Sequence, residues 1–547
     1  MSRPATFLLS GLLFLSLSSC AQILNHKQGF SRQDSLRGSI TPERAWWDAV
    51  SYHIGVAPDF NSKTIEGKNE IRFKVVSPGS RMQIDLQEPM KVESAYWKDK
   101  NLPLERVGNV YYITFPQTFQ KGAVETVTLV FNGKPREAKN APWDGGWIWK
   151  KDAQGRPWMS VACQGLGASV WYPCKDHQSD EPDSATLSMA VPDTLVAVAN
   201  GRLKEKKSYS KGMVTYKWAV TNPINSYNII PYIGKYTNFT ETYKGEKGVL
   251  NCSYWVLDYN LEKAKKQFVQ APQTLKALEH WFGPFPWYED DFKLVESPHL
   301  GMEHQSAVAY GNRYANGYLG TDLSGSGWGL KWDFIIVHEV GHEWFGNNLT
   351  SKDIADMWVH EGFTNYSETL FTEYYYGKKA GQEYVQGLRK KIANDKPIIG
   401  AYGVNQEGSG DMYYKGSNLV HTIRHLIGDD EKFRSILRGL NKDFYHQTVT
   451  GKQVEDYIQQ KSGKDLHKVF DQYLRATSIP LLKLDVDGDL LKYKWEDCVQ
   501  GFNMPVKLTN GTWINATTEW QQVKMDRAEA LKVNADPNFY IRVKKDD

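Results

Sequence analysis

His338-Glu339-Val340-Gly341-His342, with Glu361 eighteen residues beyond, constrains this chain more than any other stretch. Positions i and i+4 of a helix share a face, so a helix lets His338 and His342 point at one ion. Glu339 lies one residue round the helix, beside that ion but not on it. Glu361 sits in Trp358-Val359-His360-Glu361-Gly362-Phe363, which reads as the start of a second helix. The fold must therefore hold two helices against each other, bringing Glu361 to the histidine face. Two histidines and a carboxylate leave a fourth tetrahedral position open to water, the mark of a catalytic rather than a structural zinc site. The reading is one zinc per chain on His338, His342 and Glu361, with Glu339 as the general base.

A chain of 547 residues exceeds what one core organises, so three domains are expected. Aromatic residues make up 13% and tryptophans number 19, which suits packed domains and not disorder. The net charge of +3 carries no basic stripe and excludes nucleic acid as an expected partner.

The N-terminus reads as a targeting segment. Arg3 gives a positive start, and Phe7 to Leu17 is apolar but too short to span a bilayer. Leu17-Ser18-Ser19-Cys20 resembles a bacterial lipobox, with cleavage before Cys20 and lipid on its sulfur; an ordinary secretory signal is the alternative. The expectation is a signal over residues 1–19, a tether over 20–44 and a lipid-anchored protein of the bacterial cell envelope. Outside the cytoplasm Cys163 and Cys174 are free to pair across a turn, a point the sequence leaves open.

Alternation of polar and apolar residues, broken by Gly, Pro and Asn, marks residues 45–238 as β structure, as in Tyr52 to Asp59 and Ile71 to Val75. From about 240 to 480 the spacing turns helical. Helices are predicted over Leu261–Leu278, Trp332–Trp344, Glu361–Tyr376, Tyr414–Ile427 and Asp465–Leu474, with a short β stretch over Phe292–Tyr310. Residues 481–547 alternate again around Asp487-Gly488 and Asn510-Gly511 turns.

With these motifs the chain resembles the gluzincin zinc aminopeptidases, the family of aminopeptidase N and the leukotriene-A hydrolases. The resemblance runs from Tyr52–Phe73 through Tyr172-Pro173-Cys174-Lys175-Asp176, the zinc signature and Tyr413-Tyr414-Lys415-Gly416 to Phe539-Tyr540-Ile541-Arg542-Val543. It implies a multidomain α+β protein: an N-terminal β saddle, a thermolysin-like α+β catalytic domain and a small C-terminal β-sandwich. The large helical fourth domain of many members is not expected.

The resemblance also assigns roles. Leu300-Gly301-Met302-Glu303-His304 matches the family's Gly-x-Met-Glu-Asn, so Gly301, Met302 and Glu303 are expected to bind substrate. Glu303 would hold the substrate's free α-ammonium through a charge-assisted hydrogen bond, leaving no room for residues upstream of it. Gln164 matches a position that touches the same amino end. Tyr413 matches the oxyanion donor, and Tyr414 its core neighbour. Glu368 either orients a ligand or is a helix-surface carboxylate. The sequence departs from the family at Leu300, where the family has Gly, and at His304 and His360, where it has Asn; His304 is a group able to titrate near neutrality, and the changes bear on pH profile and substrate preference. The expected function is removal of single N-terminal residues from peptides with a free N-terminus. The alternatives are a zinc endopeptidase, a lipid-epoxide hydrolase and a non-catalytic peptide-binding scaffold.

Overall fold

The computed structural model describes residues 29–546, so the expected signal segment and Cys20 lie outside the described residues. The expected tether reaches into them, and there it is corrected. Residues Arg32–Gly38 form helix α1, opened by a capping box on Ser31, and Pro42–Ala45 form helix α2. Arg44 is wholly buried and pairs with Asp85 at 2.6 Å. Arg37 pairs with Asp176 at 3.2 Å. A segment that buries its cations on carboxylates of the body is part of the fold, not a leash.

The N-terminal region is β-rich. Trp47–Asp59 runs antiparallel to Thr64–Val75 and parallel to Ser184–Pro192, at the centre of an eight-stranded sheet. Ser184–Pro192 alternates buried and half-buried along its length, the period-2 pattern of a sheet with one face on the core. A four-stranded sheet carries Gly146–Lys151 and Pro157–Ala162, and the chain leaving it reaches Gln164. The exposed edge strand Arg202–Ser210 is rich in lysine, which discourages pairing with another chain.

The stretch read as helical from about residue 240 begins instead with a β-hairpin, Tyr236–Gly245 against Gly248–Leu257. It joins Phe292–Glu296, Val308–Tyr310 and Gly301–Met302 in a five-stranded sheet, with Gly301–Met302 at its edge. The helix expected over Leu261–Leu278 is two: α3 (Leu261–Gln267) and α4 (Gln270–Phe282). Pro272 has no N–H to give Phe268, so the first helix stops and the proline sits in the first turn of the second.

Helix α5 (Phe334–Gly341) starts at Asp333, whose carboxylate accepts from the backbone N–H groups of Ile335 and Ile336. Helix α6 (Trp358–Tyr376) ends at Gly377 in the left-handed region. Helix α7 (Lys378–Leu388) follows, and α8 (Tyr414–Ile427) closes the site. Helices α9 (Asp430–Asp443) and α10 (Gly451–Ser462) were not expected, although Asp429 and Thr450 cap them.

At the C-terminal end a four-stranded sheet and the ribbon Pro505–Lys507/Trp513–Asn515 form the small β unit. Its Leu482, Leu484 and Trp495 share one buried apolar cluster with helices α4 to α10.

Candidate active site

The Nε2 atoms of His338 and His342 lie 3.7 and 3.3 Å from Glu361 Oε2. The far side of each ring is fixed. His338 Nδ1 bonds Glu368 Oε1 at 2.8 Å, and His342 Nδ1 donates to the Phe345 carbonyl at 3.0 Å. A carbonyl only accepts, so His342 carries its proton on Nδ1 and turns the Nε2 lone pair inward. Glu368 in turn accepts from Tyr384 at 2.6 Å and Asn365 at 2.8 Å. It is fully buried and orients a ligand; it is no surface carboxylate.

Glu361 Oε2 is buried with no hydrogen-bond donor of its own. Three lone-pair-bearing atoms therefore converge, each supported from behind, on one point where a cation would complete the set. The donor set of two imidazoles and a carboxylate fits a divalent zinc-like ion.

Small residues bring the helices this close. Gly362 of α6 and Gly416 of α8 pass so near that a Cβ on Gly416 would stand 3.0 Å from Gly362 Cα. That contact sets Tyr413, at the start of α8, beside the ligands, its ring stacked 6.2 Å from that of His338. Across the cleft, the edge strand presses on α5. A Cβ on Gly301 would lie 2.6 Å from Glu339 Oε1, so only glycine lets the strand pass.

Glu303, the next residue but one, is 2% exposed and accepts from the Tyr227 hydroxyl at 2.8 Å. A ligand atom of Glu303, one of Glu339 and one of His342 all lie within 4.8 Å of one another. Met302 is buried in the strand between. Gln164 reaches the site from the N-terminal region, its amide 3.4 Å from Glu361 Oε1. Sequence reasoning missed Tyr227, which sits in a loop with no motif around it.

Burial pushes Glu339 up to about 7; the two histidines pull it down and Glu303 and Glu361 add to the rise. Burial likewise raises Glu303 and Tyr413, with Glu361 adding in both cases. Burial opposes ionisation of Glu361 too, but His342 and His338 outweigh it and hold that carboxyl below its usual range.

The two unusual histidines are not neutral-pH switches. Burial drives His304 well below its ordinary value, with His299 adding, while Tyr232 bonds its Nδ1. Burial takes His360 down to about 3, and its Nε2 accepts the Ser351 backbone N–H at 2.8 Å. Cys163 and Cys174 are both buried free thiols.

Comparisons agree with this geometry. Residues 49–228 match the "Peptidase M1 N-terminal domain" and residues 267–473 the "Peptidase family M1 domain". Tricorn protease-interacting factor F2 of Thermoplasma volcanium is 21% identical over 71% of this chain and 50% of its own length. Leukotriene A-4 hydrolase of Xenopus laevis is 23% identical over 74% of this chain and 67% of its own. The chain spans about half to two thirds of the length of such curated relatives. The crystal structure of the M1 zinc metallopeptidase from Deinococcus radiodurans superposes with a TM-score of 0.68 at 20% identity, covering 79% of this chain and 94% of that one.

Proposed function

This chain belongs to peptidase family M1, and on that premise we propose that it is a zinc-dependent aminopeptidase that removes the N-terminal residue from peptides. The observation that carries the reading is Glu303. A buried carboxylate, steadied by Tyr227, stands within reach of both Glu339 and His342. There it can hold a free α-ammonium while the first peptide bond lies over the ligand set. An endopeptidase needs that space for upstream residues.

His338, His342 and Glu361 would hold one zinc. When bound there, zinc polarises the scissile carbonyl and acidifies a water molecule. Glu339, buried beside the ligands on the same helix as His338, takes the proton of the attacking water and passes it to the leaving amine. Tyr413, kept protonated by burial, donates a hydrogen bond to the oxyanion that forms. Gln164 supports the amino end from the opposite wall.

The test is a panel of aminoacyl substrates, each free and N-acetylated, on the zinc-loaded protein. Free substrates should turn over and blocked ones should not. Glu303→Ala should lower kcat/KM on free substrates roughly 10- to 150-fold with zinc retained. Equal cleavage of blocked and free peptides would hand the site to an endopeptidase.

We also propose the division into an N-terminal β domain that includes the packed helices α1 and α2, a catalytic domain that runs from the strand Tyr236–Gly245 to residue 480 and a 481–547 β domain, and anchoring in the bacterial envelope through lipid on Cys20. The apolar stretch ending in Leu17-Ser18-Ser19-Cys20 supports the anchor. Among the described residues no helix is long and apolar enough to cross a bilayer. Cys20→Ser should release the protein from membranes; a wild type recovered soluble and unmodified favours a plain secretory signal.

A further inference from the structure

Glu303 is held at two points, and both holds come from one turn of the N-terminal β-rich region. The 3₁₀ turn Ser226–Asn228 follows Asn225, whose side chain accepts the Tyr227 N–H, and the Tyr172 hydroxyl donates to the Ser226 carbonyl at 2.8 Å. Asn225 and Tyr172 thus fix the turn where it meets the catalytic region. Tyr227 takes the carboxylate: its hydroxyl donates to Glu303 Oε1 at 2.8 Å. Asn228, the next residue, takes the main chain through one intermediary. Its Nδ2 donates to Asn347 Oδ1 at 2.7 Å, and Asn347 Nδ2 donates to the Glu303 carbonyl at 2.7 Å.

The amide orientations follow from the partners. Asn347 Nδ2 faces acceptors, the Glu303 carbonyl and, at 3.2 Å, Glu343 Oε2. Its oxygen therefore faces Asn228, which has to present its NH₂ group. Glu343 is itself fixed by the Trp287 indole N–H at 2.7 Å and the Ser306 backbone N–H at 2.9 Å, so the Asn347 amide is braced from its own side as well.

We infer that Asn228 is a positioning residue for Glu303, acting through the Asn347 amide. The inference rests on the aminopeptidase reading and adds to it the part of the chain that sets the register. A substrate's ammonium lies where the Glu303 carboxylate is, and one residue of peptide separates it from the scissile carbonyl. Glu303 follows directly on Gly301–Met302, the edge strand pressed against Glu339. A shift of Glu303 therefore moves the carbonyl relative to the base that takes the water's proton, and small misplacements of this kind are costly in rate. Asn228 is wholly buried, so it acts by position and not by contact with substrate.

The test is a double-mutant cycle on the zinc-loaded protein with leucyl-7-amido-4-methylcoumarin. Asn228→Leu keeps the volume and removes the donor. Alone it should lower kcat/KM roughly three- to tenfold, with zinc content unchanged. Introduced into Glu303→Ala it should cost less than about twofold, because the group it positions is gone. An equal fall in both backgrounds overturns the inference, since Asn228 would then only pack the seam; so does a single variant of wild-type speed. Should leucine prevent folding, Asn228→Ala runs the same cycle and its outcomes read the same way. Calorimetric titration with L-leucine and N-acetyl-L-leucine gives an arm independent of turnover. The wild type should prefer the free amine, and Asn228→Leu should narrow that preference by a similar factor; an unchanged preference overturns the inference. If Glu303→Ala leaves cleavage of free substrates untouched, the aminopeptidase reading falls and takes the inference with it, an outcome distinct from a Glu303-dependent enzyme that is indifferent to Asn228.

Discussion

An alanine at position 301 would put its methyl carbon 2.6 Å from Glu339 Oε1 and 2.9 Å from Ile335 Cγ2. Helix α5 cannot retreat from that contact, because it also carries His338 and ends on His342. Gly301→Ala should therefore cut kcat at least about tenfold through a displaced base, with zinc content unchanged; steady-state kinetics and metal analysis check it. Tyr413→Phe keeps the stacking on His338 and removes only the donor. It should lose about 10²- to 10³-fold in kcat, again with metal intact, and a variant of wild-type speed would remove Tyr413 from the chemistry. At this scale the sequence was most readable where spacing alone dictates geometry, as for His338, His342 and Glu361. It was opaque for Tyr227, which meets Glu303 from 76 residues away, because nothing local marks a tyrosine as a carboxylate's partner. His304, expected to titrate near neutrality, is driven well below its ordinary value by burial, which composition does not disclose.

Among the elements, α5 matters most, and its first turn hangs on Asp333. That carboxylate caps the helix and also accepts from Gln267 at 2.7 Å, Tyr310 at 2.8 Å and Asn312 at 2.8 Å. Burial nevertheless pushes it up to about 6 from 3.8. A raised carboxyl contributes stability that is present below its unfolded value and is lost as pH rises through the folded one. Between about pH 4 and pH 7 this group should thus cost the wild type about 3 kcal/mol of stability. Asp333→Asn cannot ionise, so it should be at its worst relative to wild type at about pH 4 and recover toward it by about pH 7. Urea melts of both proteins at the two pH values check this; a constant gap contradicts it. Helices α6 and α8 were legible to within a few residues, since Gly377 and Gly428 stop them. The hairpin Tyr236–Leu257 was not, because it lies at the change from alternating to helical spacing and its pairing strands continue only at Phe292.

Over the whole molecule, the segment before residue 46 behaves as a clamp. Arg44 and Asp85 are both buried, and Asp85 also accepts from the Asp176 N–H at 3.0 Å. Arg44→Met would strand Asp85 and should cost about 3–5 kcal/mol, read as a lower denaturation midpoint. Deleting residues 1–45 should destabilise the remainder, where deletion of a true tether would leave it unchanged. The broad order of β-rich, helical and β regions was visible from periodicity; the clamp was not, because its short helices carry too few apolar residues to announce a packed face. Gln164 and Glu361, whose side chains meet at 3.4 Å, stand 197 residues apart in the chain. A ribosome releases the N-terminal half first, and domains tend to fold as they emerge. The region that carries Gln164 is then in place before a single residue of the His338, His342 and Glu361 set has been synthesised, and Tyr413 arrives later still.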